Sequence, residues 1–143
     1  MKPNPYTRER LVEQLRRHDI NPTHQRLEIA HALFSRGAHL SADQVLAIVN
    51  GRHPETSKAT VYNTLNLFLE KQLIREVIVD PSKVFYDPNT APHHHFYNVG
   101  TGELADIDAA AVEVHGLPAL PEGMVTEGVD IIVRIHSART IHD

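Results

Sequence analysis

The sequence predicts an α+β fold: an N-terminal winged helix-turn-helix DNA-binding domain, residues 1–86, followed by a small α/β dimerisation domain, residues 87–143. Three observations predict it. Apolar residues recur at helical spacing in four segments of the first half, a β-hairpin pattern follows the fourth segment, and the second half is rich in short strands. Several short helices followed by a hairpin form the layout of a winged helix-turn-helix.

Four helices are predicted in the first half, each from an apolar stripe at helical spacing and from a residue suited to capping. The first lies in YTRERLVEQLRRH. The second lies in NPTHQRLEIAHALFSRG, where Thr23 is a start signal and Gly37 is the expected end. Ser41 opens the third, SADQVLAIVN, and Thr56 or Ser57 opens the fourth, TSKATVYNTLNLFLEKQL.

After the fourth helix the apolar period changes from helical to alternating. Residues 74–79 alternate, residues 80–83 (Asp-Pro-Ser-Lys) form a turn, and residues 84–86 are extended again, which indicates a β-hairpin. In the second half, HFYNV and ELADI are predicted strands around a Gly-Thr-Gly turn. AAAVEV is a possible short helix, and VDIIVRIHS is a strong final strand. About 55 residues make a thin core, so we expect this half to pair with a second subunit.

Composition limits the classes of function. No run of about 18 apolar residues occurs, so we expect no membrane span, and the amino terminus has no apolar segment typical of a secretory signal. Cysteine is absent from all 143 residues. This excludes disulfides and thiolate metal sites, and it suits a cytoplasmic protein.

Charge is distributed unevenly along the chain. The net charge is −4, yet residues 1–86 hold 12 Lys and Arg against 9 Asp and Glu, and residues 87–143 hold 2 against 9. The excess of positive charge in the first half suits phosphates, and the excess of negative charge in the second half suits cations. Two halves of opposite sign therefore indicate two modules with different partners.

The polar face of the predicted fourth helix is suited to DNA. Lys58, Thr60 and Tyr62 can bond phosphates, and Asn63 can pair bidentately with adenine in the major groove. Ser57, at the start of this helix, belongs to the same candidate set. An exposed Tyr on such a helix is unusual for a purely structural surface. The alternative is an ordinary amphipathic helix with a solvated polar face.

The first turn of the predicted second helix carries three more candidates for DNA binding, Thr23, Gln25 and Arg26. Backbone N–H groups at a helix start already favour anions, so these side chains could hold the DNA backbone there. The other histidines of the first half, His24 and His53 among them, are assigned to surface or packing roles, although His24 could touch DNA.

The triple histidine in APHHHFYNVGTGELAD is a candidate metal site. His93 and His95 point to the same side of a strand, and His94 points away. A hairpin could bring Asp106 back beside the pair, and Asp87 precedes them across a proline-flanked hinge. Imidazoles and carboxylates without sulfur suit Fe²⁺, Mn²⁺ or Zn²⁺. The alternative is a solvated loop that happens to be rich in histidine.

Four motifs in this order and spacing resemble the ferric uptake regulator (Fur) family of bacterial repressors: NPTHQRLEIAHALF, HLSADQV, SKATVYNTLNLFLEKQLI and HHHFYNVGTGELADID. The resemblance covers nearly the whole chain. The tail and the cysteine-free triple histidine look most like the iron response regulator (Irr) branch. The metal positions look like the peroxide-sensing (PerR) branch.

The resemblance implies one regulatory Fe²⁺ or Mn²⁺ site per subunit, with Zn²⁺ as a possible substitute, at His39, Asp87, His93, His95 and Asp106. His39 would come from the DNA-binding half, so one ion would fix the angle between the two modules. It also implies a homodimer that binds double-stranded operator DNA at an A·T-rich inverted repeat, and peroxide sensing if the ion is Fe²⁺.

The sequence departs from the family at two places. The first Cys-x-x-Cys of the family falls on Asn98 and Thr101, so the structural four-cysteine zinc site is absent. Asn63 stands where many members have Arg. A haem-responsive regulator remains an alternative, with His94 or His95 as a possible axial ligand.

An alternative of another class is a metal-dependent hydrolase that uses His93, His95 and an aspartate. Such a site needs an open coordination position and usually a nearby general acid or base. The chain contains no convincing H-E-x-x-H motif, no Gly-rich phosphate loop and no G-x-S-x-G turn. We therefore expect a regulator and not an enzyme.

Overall fold

The computed structural model describes residues 6–36 and 39–138. The chain divides into two compact units, residues 1–90 and residues 91–143, named below the amino-terminal and carboxy-terminal units. The expected α+β fold is confirmed, with four helices and two small sheets among the described residues. Gly37, the expected end of the second helix, lies outside the described residues. No helix in the described ranges is long and apolar enough to cross a membrane.

The amino-terminal unit contains the four helices α1 (Arg8–Arg17), α2 (His24–Ser35), α3 (Ala42–Asn50) and α4 (Lys58–Glu70). Each begins after a Thr or Ser whose hydroxyl oxygen accepts a backbone N–H of the first turn, and such a cap stabilises a helix by about 1 kcal/mol. The cap of α4 is Ser57 rather than Thr56. In α3 the cap is reciprocal, because Ser41 N also donates to Gln44 Oε1 at 2.8 Å.

One hydrophobic core joins the four helices. Leu15 of α1, Leu33 of α2, Val45 of α3 and both Leu65 and Phe68 of α4 are essentially fully buried in it. These residues occupy the apolar stripes that the sequence predicts. Burial of one such side chain stabilises a fold by roughly 1.5–3 kcal/mol, so packing holds α4 firmly in its place.

A β-hairpin follows α4 and consists of β1 (Arg75–Asp80) and β2 (Lys83–Asp87), paired antiparallel. An isolated bridge ties β2 to the segment before α3, because Tyr86 N donates to Leu40 O at 2.8 Å and Leu40 N donates to Tyr86 O at 3.3 Å. This bridge sets the residues on either side of it, His39 and Asp87, next to each other.

The carboxy-terminal unit contains a three-stranded sheet in the order β4-β3-β5. Strand β3 (His93–Asn98) pairs antiparallel with β4 (Leu104–Asp108) and parallel with β5 (Ile132–Ile135). In the turn between β3 and β4, Asn98 Oδ1 accepts the N–H groups of Gly100 at 2.9 Å and Thr101 at 3.1 Å. Gly102 completes the turn at φ +79°, a conformation that favours glycine.

Two predicted elements of this unit differ from the structure. The segment AAAVEV forms only a 3₁₀ turn, Ala109–Ala111, and is extended from Val112. The final strand has four residues, whereas the apolar pattern begins at Val129. The N–H of Ile131, just before β5, donates to the His94 ring at 3.1 Å. The carbonyl of Ile131 accepts the N–H of His95 at 3.1 Å, and the regular pairing with β3 begins at the next residue, Ile132.

Candidate metal centre and nucleic-acid interface

In the amino-terminal unit, His39 faces Asp87. Their closest atoms, His39 Nε2 and Asp87 Oδ2, are 3.0 Å apart, and the two side chains are only 9% and 5% exposed. The other carboxylate oxygen accepts the N–H of Asn89 at 2.9 Å, which fixes the orientation of the carboxylate. A buried carboxylate requires a cation or hydrogen-bond donors beside it, so this pair is a strong position for positive charge.

In the carboxy-terminal unit, His93 and His95 of β3 face Asp106 of β4. Side chains two apart on a strand share a face, and the antiparallel register puts His95 directly opposite Asp106. Asp106 Oδ1 lies 3.3 Å from His93 Nε2 and 3.5 Å from His95 Nε2. Both histidines are buried, their ring centroids are 4.5 Å apart, and Asp106 is half exposed.

The backbone determines which nitrogen of His93 carries its proton. His93 Nδ1 lies 2.7 Å from the carbonyl oxygen of Ala91, so Nδ1 must donate. In the neutral ring Nε2 then has a lone pair directed at the Asp106 carboxylate, which is also an acceptor. Two acceptors at this distance repel unless a proton or a metal cation lies between them. A backbone carbonyl that orients an imidazole in this way is typical of metal-ligating histidines.

His94 has a different role from its two neighbours. Its side chain is half-buried, and its Nδ1 accepts the N–H of Ile131 at 3.1 Å. This contact makes Nε2 the protonated nitrogen of a neutral ring. His94 therefore ties β3 to the chain entering β5.

The chemistry of both donor sets fits the cations that the sequence suggests. Each unit supplies imidazole nitrogen and carboxylate oxygen, a set that suits Fe²⁺, Mn²⁺ and Zn²⁺. Tyr86, the neighbour of Asp87, is not a candidate ligand. Burial raises the pKa of its phenol, and the negative charge of Glu76 raises it further. The hydroxyl of Tyr86 thus stays protonated at neutral pH.

The polar face of α4 is open to solvent in the amino-terminal unit. Lys58, Tyr62 and Asn63 are all exposed, and Lys58 Nζ lies 5.7 Å from the centre of the Tyr62 ring. Lys58 Nζ also lies 3.4 Å from Asp43 Oδ1, but an ion pair between two exposed side chains contributes little and can be exchanged for a phosphate. These three side chains can reach a ligand without rearrangement of the core.

The hydroxyls among the DNA-binding candidates already serve the helix starts. Ser57 Oγ accepts the N–H of Thr60 at 3.1 Å and lies 2.9 Å from its Oγ1. Thr23 Oγ1 accepts the N–H of Arg26 at 3.3 Å, and the Arg26 guanidinium donates to the carbonyl of Asn21 at 2.9 Å. Gln25 is exposed. Capping is therefore the first role of Thr23 and Ser57, and a phosphate would approach beside these caps.

One cluster escapes the sequence analysis. His24, Glu28 and His53 lie together in the amino-terminal unit, with potential ligand atoms all within 4.8 Å of one another. The spacing of His24 and Glu28, four residues apart on a helix, is a local signal for a shared face. His53 has no local signal, because it comes from the loop after α3.

Comparison with known proteins gives a consistent family. The sequence profile of the ferric uptake regulator family matches residues 17–133. The peroxide operon regulator of Bacillus subtilis is 32% identical over 95 residues, 66% of this chain and 66% of that protein. The peroxide-responsive repressor PerR of Staphylococcus epidermidis is 30% identical over 98 residues, 68% of this chain and 65% of that protein. The matches thus span just under two thirds of these relatives.

Solved structures share the fold. The Helicobacter pylori ferric uptake regulator, described as having three functional metal binding sites, aligns with a TM-score of 0.68 at 19% identity, over 96% of this chain and 95% of that one. The Pseudomonas aeruginosa regulator with manganese gives 0.67 at 21%, over 89% and 97%. The Campylobacter jejuni peroxide stress regulator gives 0.62 at 23%, over 92% and 98%. At these identities the likeness is one of fold, and the profile match supplies the family: this chain belongs to the ferric uptake regulator family.

Proposed function

We propose that this protein is a metal-responsive transcription repressor that binds operator DNA as a homodimer in the cytoplasm. Membership of the ferric uptake regulator family supports regulation rather than metal-dependent hydrolysis. Two relatives are named as regulators of the peroxide response, which supports the same role for this chain.

The proposed metal response rests on two groups of potential metal ligands, each with fewer ligands than one ion usually binds. His39 and Asp87 form one set in the amino-terminal unit, and His93, His95 and Asp106 form the other in the carboxy-terminal unit. We infer that a single ion takes ligands from both sets. Such an ion supplies a positive charge that neutralises both carboxylates and fixes the angle between the units.

The donor chemistry favours Fe²⁺ or Mn²⁺ as the regulatory ion, with Zn²⁺ as a substitute. Haem has less support. His95 is fully buried, and an axial ligand must reach the open face of a large ring. The Nδ1 of His94 accepts a backbone N–H, which leaves a protonated Nε2 in the neutral ring.

The exposed face of α4 supports DNA as the partner. We infer that α4 lies in the major groove, where Asn63 pairs with adenine and Lys58 and Tyr62 contact phosphates. Adenine recognition fits an A·T-rich site, and a twofold dimer fits an inverted repeat. A fixed angle between the units sets the separation of the two α4 helices, and half-sites on DNA lie at set distances. DNA and metal should therefore tighten each other's binding equally.

The carboxy-terminal unit supports the homodimer. Its described residues include many exposed apolar side chains, among them Val133 and Ile135 on the edge strand β5. A second subunit would cover them. We expect Ile135→Lys to weaken the dimer at least tenfold in sedimentation experiments and Ser137→Lys, on the adjoining exposed segment, to change it little. Equal dimerisation of Ile135→Lys and the parent would contradict this assignment.

The decisive experiment is an operator gel shift with and without Mn²⁺, Fe²⁺ and haem, on the parent, His39→Ala and His115→Ala. The control residue His115 is exposed and pairs only with Glu113 among the contacts described for it. We expect metal to change operator affinity about tenfold or more for the parent and the control, as a coupling of about 1.4 kcal/mol would give. A metal response of His39→Ala equal to that of the parent would disprove the bridging role.

Peroxide sensing has its own test. After treatment with Fe²⁺ and peroxide, mass spectrometry should detect the gain of one oxygen atom on a peptide that carries His39 or the His93–His95 pair. Treatment with Mn²⁺ and peroxide is the control and should leave these peptides unchanged. If no ligand peptide gains mass with Fe²⁺, the protein responds to metal and not to peroxide.

A further inference from the structure

We propose that His24, Glu28 and His53 form a second divalent-metal site, suited to Zn²⁺, Ni²⁺ or Co²⁺, within the amino-terminal unit. The site lies between the first turns of α2 and the loop after α3. All three residues belong to one compact unit. This proposal does not depend on the regulatory site described above.

The backbone holds all three residues in place. His24 is the first residue of α2 and Glu28 lies one turn further, so the two side chains share a face of the helix. His53 N donates to the carbonyl of Val49 at 2.8 Å, and the carbonyl of His53 accepts Thr56 N at 3.0 Å. Val49 and Thr56 are themselves buried, so the loop that presents His53 is anchored at both ends.

The spacing of the ligand atoms is close to that of a metal site. His53 Nε2 lies 3.5 Å from Glu28 Oε2, and the His24 and His53 rings stand edge to face with centroids 5.0 Å apart. With metal–ligand bonds of about 2.0–2.1 Å, two ligands of a tetrahedral ion are roughly 3.3 Å apart. One edge of the tetrahedron is therefore present already, and rotation of the exposed His24 side chain can close the others.

A neighbouring carboxylate and a small cavity favour the binding of a cation by these three residues. Glu55 Oε1 lies 3.7 Å from His53 Nδ1, on the side of the ring away from Glu28. The negative charge of this carboxylate favours the tautomer with the proton on Nδ1, which leaves the lone pair of Nε2 available to the ion, although 3.7 Å is longer than a hydrogen bond. The cavity between these side chains has a volume of about 20 Å³, enough for one ion or one water molecule.

A protonated His53 between two glutamates is the competing explanation. It accounts for Glu28 and Glu55 on either side of the ring, but not for the second imidazole brought edge-on at 5.0 Å. A second protonated imidazole there would add repulsion. Two imidazoles and a carboxylate whose potential ligand atoms lie within 4.8 Å of one another are a donor set for a borderline divalent metal.

The test is a Zn²⁺ titration of the full-length protein, followed by bound-metal analysis and by NMR of the histidine rings. We expect two Zn²⁺ per parent chain and one for each of His24→Ala, His53→Ala and Glu28→Gln. The imidazole resonances of His24 and His53 should shift on Zn²⁺ binding in the parent. His31→Ala, a histidine substitution on the same helix, should keep both ions.

A variant of the regulatory site separates this proposal from the proposed function. The double substitution of His93 and His95 by Ala should lose one Zn²⁺ while the ring signals of His24 and His53 still shift. Glu28→Gln keeps the size of the side chain, so its result does not depend on a change in folding. Parental stoichiometry and affinity in both Glu28→Gln and His24→Ala, or unmoved ring signals of His24 and His53, would overturn the second site.

Discussion

The two units bury very different side chains. Nineteen buried apolar residues form one core among the described residues of the amino-terminal unit. Among the described residues of the carboxy-terminal unit, the buried apolar side chains are Tyr97 and Ile107, and His93 and His95 are buried beside them. Two of these four buried side chains, His93 and His95, are thus imidazoles that can bind metal. Packing accounts for the stability of the first unit but not for that of the second.

The carboxy-terminal unit is also distinguished by the apolar side chains on its exposed surface. The described residues of the carboxy-terminal unit expose large apolar side chains from the turn after β3 to β5, and Val125 is 90% exposed. Isolated exposed apolar residues are ordinary, but so many in one small unit indicate a surface that another chain covers. We infer that a partner subunit and a bound ion supply the stability that its core lacks.

The largest expected effect comes from the core of the amino-terminal unit. Leu65→Ala removes a fully buried side chain and should lower the free energy of unfolding by about 2–5 kcal/mol. Urea unfolding followed by circular dichroism measures it. Tyr62→Ala is the matched control on the same helix and should change stability by less than about 0.5 kcal/mol, since Tyr62 is exposed. Equal losses for both variants would mean that α4 is not held by its apolar stripe.

The second-largest expected effect is the stabilisation of the folded chain by Mn²⁺ at the proposed regulatory site. Mn²⁺ at a hundred times its dissociation constant should raise the free energy of unfolding by about 2.7 kcal/mol, because the proposed ligands come together only in the folded chain. His95→Ala should abolish this increment, and EDTA should reverse it in the parent. Thermal unfolding with and without Mn²⁺ provides the measurement.

Leu65→Ala also serves as a control for the metal experiment. It weakens the amino-terminal core but leaves every proposed ligand in place, so its stability should still rise with Mn²⁺. If His95→Ala keeps the full increment while Leu65→Ala loses it, the metal stabilises the chain through some contact other than the proposed ligands.

The helices of the amino-terminal unit could be predicted from sequence because their signals are local. For example, Ser41 followed by Gln44 three residues later is a capping-box pattern, and it predicts the start of α3. The length of β5 could not be predicted. An apolar run such as VDIIVRIHS is equally compatible with a strand and with an exposed segment, and only pairing with β3 decides where the strand begins.

The candidate sites also include residues that local sequence signals bring together and residues that only contacts between distant segments bring together. That His93, His95 and Asp106 come together follows from strand period and a short turn, and both can be read from sequence. The bridge between Leu40 and Tyr86, which brings His39 to Asp87, joins segments far apart in the chain. The resemblance to a family suggested that pair, whereas spacing alone did not. No resemblance pointed to His53, so its cluster with His24 was missed.

A smaller loss of stability is expected from a substitution in the turn between β3 and β4. The Asn98 side chain accepts two backbone N–H groups there, those of Gly100 and Thr101. Asn98→Ala should cost about 1 kcal/mol, since net hydrogen bonds are worth roughly 0.5–1.5 kcal/mol each and this turn is partly solvated. Urea unfolding should detect it. Asn66→Ala, an exposed asparagine on α4, is the control, and equal stability of Asn98→Ala and the parent would mean that the turn forms without this side chain.

The smallest effect lies in the β1–β2 turn of the well-packed unit and depends on pH. Hydrogen bonds from the hydroxyl and the N–H of Ser82 to Asp80 Oδ1, both at 2.8 Å, hold the pKa of Asp80 below its ordinary value of 3.8. A carboxyl with a lowered pKa in the folded state stabilises the fold above its unfolded pKa, and that contribution is lost as pH falls through the folded pKa. Thermal unfolding of the parent and Asp80→Asn should therefore differ at neutral pH and converge once the pH falls below the lowered pKa of the folded state. Ser82→Ala should show the same convergence, because it removes the hydrogen bond that lowers the pKa most. A difference between parent and Asp80→Asn that stays constant down to acid pH would mean that the charge of Asp80 does not stabilise this turn.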